Sequence, residues 1–164
     1  DNVRLLFFGD TNFRDREILD ISESKKILKE VSTYIDNADL RIMNLETPLA
    51  NINDCQPLQK SGPNIICDPE NIVFLKESKV DIAVLANNHI GDYGEKGIRD
   101  TISTLEKEKI AYIGAGENTK QAYKASRVEI KGLKISIIAL CENEPGISTN
   151  NRWGSAGFDV TVSF

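Results

Sequence analysis

The sequence predicts an α/β fold built on a mainly parallel sheet, and three observations carry that expectation. Short apolar runs alternate with amphipathic stretches, as successive βα units do. The run Val80-Asp81-Ile82-Ala83-Val84-Leu85-Ala86 is short and β-branched, the composition of a strand covered on both faces. Hydrogen-bonding and ligating side chains gather just after such runs, and open α/β sheets bind their ligands outside the carboxyl ends of the strands.

The elements follow in order. Val3 to Phe8 reads as the first strand, ending at Gly9-Asp10. Ser24 to Ile35 carries Ile27, Leu28, Val31 and Ile35 at helical spacing, with Ser22 or Ser24 near its N-cap. Leu40 to Leu45 is a second strand that delivers Asn44 and Glu46 before Pro48 stops regular structure. Residues 50–66, with Pro57, Gly62 and Pro63, have no usable period and read as an excursion loop, a kind that is often functional. Asp68-Pro69 suits the start of a helix running to about Ser78, and the strand Val80 to Ala86 follows.

Ile98, Ile102 and Leu105 then place an apolar stripe on a helix from about Glu95 to Lys109. Ile110 to Ile113 is a strand closed by Gly114-Ala115-Gly116, Thr119 to Ala125 a short helix, and Val128–Ile130 with Lys134–Leu140 a hairpin around Lys131-Gly132. Asn143 to Phe164 shows little periodicity.

Composition excludes several classes of function. The chain has 164 residues, 40% hydrophobic and 27% charged, which suits one globular domain. A net charge of -5, without a lysine or arginine block, argues against a nucleic-acid partner. No apolar stretch approaches the roughly 20 residues of a membrane-spanning helix. Cys55, Cys67 and Cys141 are odd in number and form no CxxC pair, so they read as ordinary thiols. The chain starts at Asp1, which is compatible with a removed signal peptide, an upstream anchor or a trimmed start.

Three strand ends offer ligating groups: Asp10 with Asn12, Asn44 with Glu46, and Asn88 with His89 and Asp92. Neighbouring strands lie about 4.8 Å apart, so such groups can converge on one ion or phosphate. Carboxylates, amides and one imidazole suit Mg, Mn, Fe or Zn rather than a thiolate site. Each residue also has a plainer reading: Asp10 as a turn residue, Glu46 as a solvated strand end, His89 as a hydrogen-bonded loop histidine. Gly114-x-Gly116 lacks the third glycine of a nucleotide fingerprint.

The ordered set Phe8-Gly9-Asp10, Ala38-Asp39-Leu40 through Asn44-Leu45-Glu46-Thr47-Pro48-Leu49, Ala86-Asn87-Asn88-His89 with Asp92-x-Gly94-x-x-Gly97, Thr101-x-x-x-Leu105 and Gly114-Ala115-Gly116 resembles the bacterial capsule-synthesis, or poly-γ-glutamate biosynthesis, CapA/PgsA family. The resemblance implies a calcineurin-like metallophosphoesterase fold, a β-sandwich flanked by helices with a metal centre at the strand ends. It implies that Asp10, Asn12, Glu46 and Asn88 ligate a divalent metal, with His89 and Asp92 as the catalytic pair. It also implies an anionic polymer or phosphoester substrate, a capsule-synthesis membrane complex as partner, and an extracytoplasmic, envelope-associated location, with a cytoplasmic one as the alternative. No histidine follows His89. Residues 1–142 are therefore read as the N-terminal portion of the metallophosphatase-like domain, and 143–164 as an irregular tail or the start of a second half.

Overall fold

The computed structural model describes residues 2–13, 18–142 and 145–158. Four parallel strands form the central sheet: β1 (Leu5–Thr11), β2 (Leu40–Leu45), β3 (Ile82–Val84) and β4 (Ala111–Ile113), in that spatial order. The connections between them carry α1 (Ile21–Leu28), α2 (Ser32–Asn37), α3 (Ile72–Glu77) and α4 (Gly94–Lys107). The expected α/β fold is present, with every strand of this sheet parallel.

Alternation along the strands divides the core into two layers. Met43, Leu45, Ala83 and Leu85 face the helices and pack with Leu75, Ile98, Ile102 and Leu105. Leu40, Ile42, Ile82 and Ile113 face the other way, against Val128, Ile130 and Ile137 of a hairpin. That hairpin consists of β6 (Ser126–Ile130) and β7 (Leu133–Ile137), and it follows β5 (Ala115–Gly116) and α5 (Thr119–Ala122). Among the described residues, it is the hairpin that supplies the second β layer of the implied sandwich. No helix among them is long and apolar enough to cross a membrane.

Several boundaries differ from the sequence reading, each for a local reason. The helix expected at Ser24 to Ile35 begins at Ile21, because Asp20 is the N-cap of a capping box with Glu23. A 3-10 turn at Lys29–Val31 then splits it, and α2 continues to Asn37. The first strand does not stop at Phe8. A register shift at Gly9 carries it on to Thr11, so Asp10 pairs with Asn44 inside the sheet.

Of the expected tail, residues 143, 144 and 159–164 lie outside the described residues. The segment 145–158 returns to the body of the fold. After β8 (Cys141–Glu142), β9 (Gly154–Ser155) pairs antiparallel with β5, and β10 (Gly157–Phe158) pairs parallel with β8. Gly146 packs so closely on Gly91 that a Cβ on Gly91 would lie 3.0 Å from the Gly146 Cα.

Candidate functional site

The carboxyl ends of β1, β2 and β3 build one polar cluster. In parallel pairing, registered residues share a face of the sheet, so the bulge at Gly9 sets Asp10 beside Asn44. The Asn44 amide donates to Asp10 Oδ1 at 2.7 Å. Two residues further along each strand, the Asn12 amide donates to Glu46 Oε2 at 2.9 Å. Thr47 fixes that amide by donating its hydroxyl to Asn12 Oδ1 at 3.1 Å, which turns the NH2 group toward Glu46.

The third strand end is shaped by Asn87, a buried residue whose groups are all engaged. Its amide nitrogen donates to the Leu45 carbonyl at 3.0 Å and to Asn44 Oδ1 at 3.2 Å. Its oxygen accepts from the main-chain N–H groups of His89 and Ile90 at 3.0 and 2.9 Å. Asn87 is thus the staple that holds the turn against β2, and it leaves the exposed Asn88 and the half-buried His89 directed outward.

His89 is oriented from behind. Its Nδ1 lies 2.7 Å from Asp92 Oδ2, and its Nε2 lies 3.7 Å from Glu46 Oε1. Asp92 is only 1% exposed and pairs with the ammonium of Lys60, whose side chain is 7% exposed. It also accepts from the Ile65 N–H at 2.8 Å. A carboxylate held this way only accepts, so Nδ1 is the ring nitrogen that donates to Asp92, and Nε2 is the one turned toward Glu46 and the cluster. Burial, and then the Asp92 charge, push the neighbouring Tyr93 hydroxyl up from its ordinary value.

Lys60 is the residue that sequence reasoning missed. It arrives on the excursion loop 50–66, which is closed at its neck by Ala50 N–H to Cys67 O and Cys67 N–H to Pro48 O, both 3.0 Å. Leu58 N–H donates to the Asp92 carbonyl at 2.7 Å, and Lys60 donates to the Asn88 carbonyl at 3.2 Å. The loop therefore docks on the histidine turn through main chain and side chain together. The legible signals were the loop's length and the fact that Lys60 is its only basic residue, with nothing to show where that residue lands. Lys60, Ser61, Gly62 and Pro63 line, with Asn88, His89 and Pro145, an open depression of about 450 Å³.

All six residues expected at the site thus lie on or beside the same three strand ends. Asp10 and Glu46 offer carboxylates, Asn88 an exposed amide, and His89 one ring nitrogen. Asn12 braces Glu46, and Asp92 braces His89. The donor types suit a hard divalent cation. Among the described residues, however, no three histidine, cysteine, aspartate or glutamate side chains are grouped closely enough to hold one.

Residues 4–161 match the family described as Bacterial capsule synthesis protein PGA_cap. The chain belongs to this family. Its members fall in the metallophosphoesterase-like superfamily. The capsule biosynthesis protein CapA of Bacillus anthracis is 30% identical over 151 residues, 90% of this chain and 36% of that protein. The PGA biosynthesis protein CapA of Bacillus subtilis is 25% identical over 146 residues, 87% of this chain and 38% of that protein. A probable polyglutamine synthesis accessory protein of Mycobacterium tuberculosis is 28% identical over 108 residues, covering 66% of this chain and 27% of the relative. The chain spans little more than a third of the length of the two CapA relatives. The strand-end cluster lies entirely within the PGA_cap match.

Proposed function

We propose that this PGA_cap chain contributes to the synthesis, anchoring or trimming of an anionic capsule polymer such as poly-γ-glutamate, as a metal-dependent hydrolase of phosphoester or γ-glutamyl amide bonds. The observation that carries the reading is the Lys60–Asp92–His89 relay, which directs Nε2 at Glu46 beside the Asp10 strand end. Asp10, Glu46 and Asn88 would supply part of the ligand set of a cation (Mn, Zn, Fe or Mg), an incomplete site among the described residues of this chain, with Asn12 and Asn44 fixing the two carboxylates. When bound, such a cation polarises the scissile group and lowers the pKa of its water. His89, its Nδ1 proton held by Asp92, presents Nε2 to take a proton from the attacking water and then give it to the leaving group. Asp92 accepts and does not itself transfer the proton.

The proposed setting is extracytoplasmic and envelope-associated, with a capsule-synthesis membrane complex as partner. The test is hydrolysis of generic phosphoesters and of poly-γ-glutamate by the full-length protein with Mn or Zn, beside Asp10→Ala and His89→Ala. Loss of turnover in both variants is the expected result, and equal turnover in all three proteins would remove the hydrolytic reading.

One observation favours a second reading, a non-catalytic polymer-binding or assembly module. Asp10 and Glu46 are each already engaged by a neighbouring amide, so the polar cluster is held together by its own side chains. Metal analysis separates the two readings. Stoichiometric metal retained through dialysis would count against the module.

A further inference from the structure

A second concave surface lies along the edge of β4 that has no partner strand among the described residues. It is a groove of about 610 Å³, within the size range of ligand sites, and Lys109, Lys124 and Arg127 stand on its walls. All three side chains are exposed, and among the described residues none has an acidic partner at ion-pair distance. Glu106 is the acidic residue of the lining, and it accepts from the Tyr112 hydroxyl at 3.3 Å. In a chain of net charge -5, Lys109, Lys124 and Arg127 give this groove a locally positive field.

The strand itself adds a second kind of recognition. Among the described residues β4 pairs only with β3. Ala111 N–H donates to Asp81 O at 3.1 Å, and the Ile113 carbonyl accepts from Leu85 N–H at 2.8 Å, so both flanking residues turn their main chain toward β3. Strand alternation then points the N–H and C=O of Tyr112 toward the groove that Tyr112 lines. An edge donor and acceptor set among three cations fits a chain that has an amide backbone and repeats a carboxylate on each unit.

We infer that the β4-edge groove binds a polyglutamate segment, at a site separate from the strand-end cluster. This rests on the capsule-polymer part of the proposed function and is independent of its hydrolytic part. None of the groove's lining residues belongs to the histidine site.

The test is titration of fluorescent poly-γ-glutamate into the full-length protein carrying this chain, into its Lys109→Gln/Lys124→Gln/Arg127→Gln variant, and into Asp10→Ala/His89→Ala. The three groove side chains are exposed, so neutralising them leaves the core untouched. Binding roughly tenfold or more weaker in the groove variant than in the strand-end variant is the expected result. Slower amide exchange over residues 109–127 on binding is expected with it. The groove assignment is overturned if the wild-type protein does not bind the polymer or if the groove variant binds as well as wild type. It is also overturned if polyphosphate of equal charge competes equally, since plain charge attraction would then suffice. Binding lost only in the strand-end variant would move the polymer to the histidine site, overturning the groove while leaving the capsule-polymer reading in place.

Discussion

Asp10 stands opposite Asn44, and not opposite Leu45, because Gly9 is bulged out of the β1–β2 register. Without that extra residue, Asp10 would pair with a position facing the helices. Asn44 joins two strand ends, since it donates to Asp10 and accepts from Asn87. Asn44→Ala is expected to destabilise the fold by about 1 to 3 kcal/mol, two hydrogen bonds' worth, read from urea unfolding. An unchanged midpoint would mean that the amide merely decorates the surface.

The Lys60–Asp92 pair is buried, and breaking it strands a carboxylate. Lys60→Met is expected to cost about 3 to 5 kcal/mol, whereas Lys60→Met combined with Asp92→Asn should cost clearly less than the sum of the single changes. Additive losses in the double-mutant cycle would contradict the pairing.

Thr101 ties α4 to the start of the excursion loop. Its hydroxyl accepts from Leu49 N–H at 2.9 Å and donates to the Gly97 carbonyl at 2.7 Å. Thr101→Val keeps the shape but leaves the buried Leu49 amide without its acceptor, so a loss of about 1 to 3 kcal/mol is expected. Faster amide exchange at Leu49 is the local check.

Asp39 links the start of β1 to the β6–β7 turn by accepting from Lys131 at 2.9 Å and from Arg4 N–H at 2.8 Å. These bonds, Lys131 first, hold its carboxyl below the usual value of 3.8. A depressed carboxyl stabilises the fold above its unfolded pKa, and the benefit is lost as pH falls through the folded value. The thermal midpoints of wild type and Asp39→Asn should therefore differ at neutral pH and converge in acid; a constant gap would rule out this linkage.

Burial pushes the Cys67 thiol well up, and Cys55 rises for the same reason. A thiol-reactive dye should label the half-buried Cys141 first and reach Cys55 and Cys67 only on unfolding. Rapid labelling of all three in the native protein would contradict this packing.

Much of the fold was legible where one pattern governed. Ile98, Ile102 and Leu105 announced α4 because a helix over a sheet must show one apolar stripe. The limits Leu40 and Leu45 were read directly, since β2 is central and buries apolar residues on both faces. The early start of α1 was not legible, because the Asp20–Glu23 capping box competes with the apolar spacing that favours a later start. Nor was the bulge at Gly9, which depends on the partner strand. At the site, Asp10, Glu46, Asn88, His89 and Asp92 stood out as ligating groups after apolar runs. Lys60 did not, because its role depends on where an irregular loop lands.

His89 is the chain's only histidine, so its Cε1–H gives one resolved signal of its kind in a magnetic resonance spectrum. That ring touches Asp92 within its own turn and Glu46 at the end of β2, while Asp92 waits for Lys60 from the excursion loop. The signal should move away from that of a free histidine in two stages during refolding, first as the sheet forms and then as the loop docks. A single resonance can thus time the assembly of the site separately from that of the scaffold.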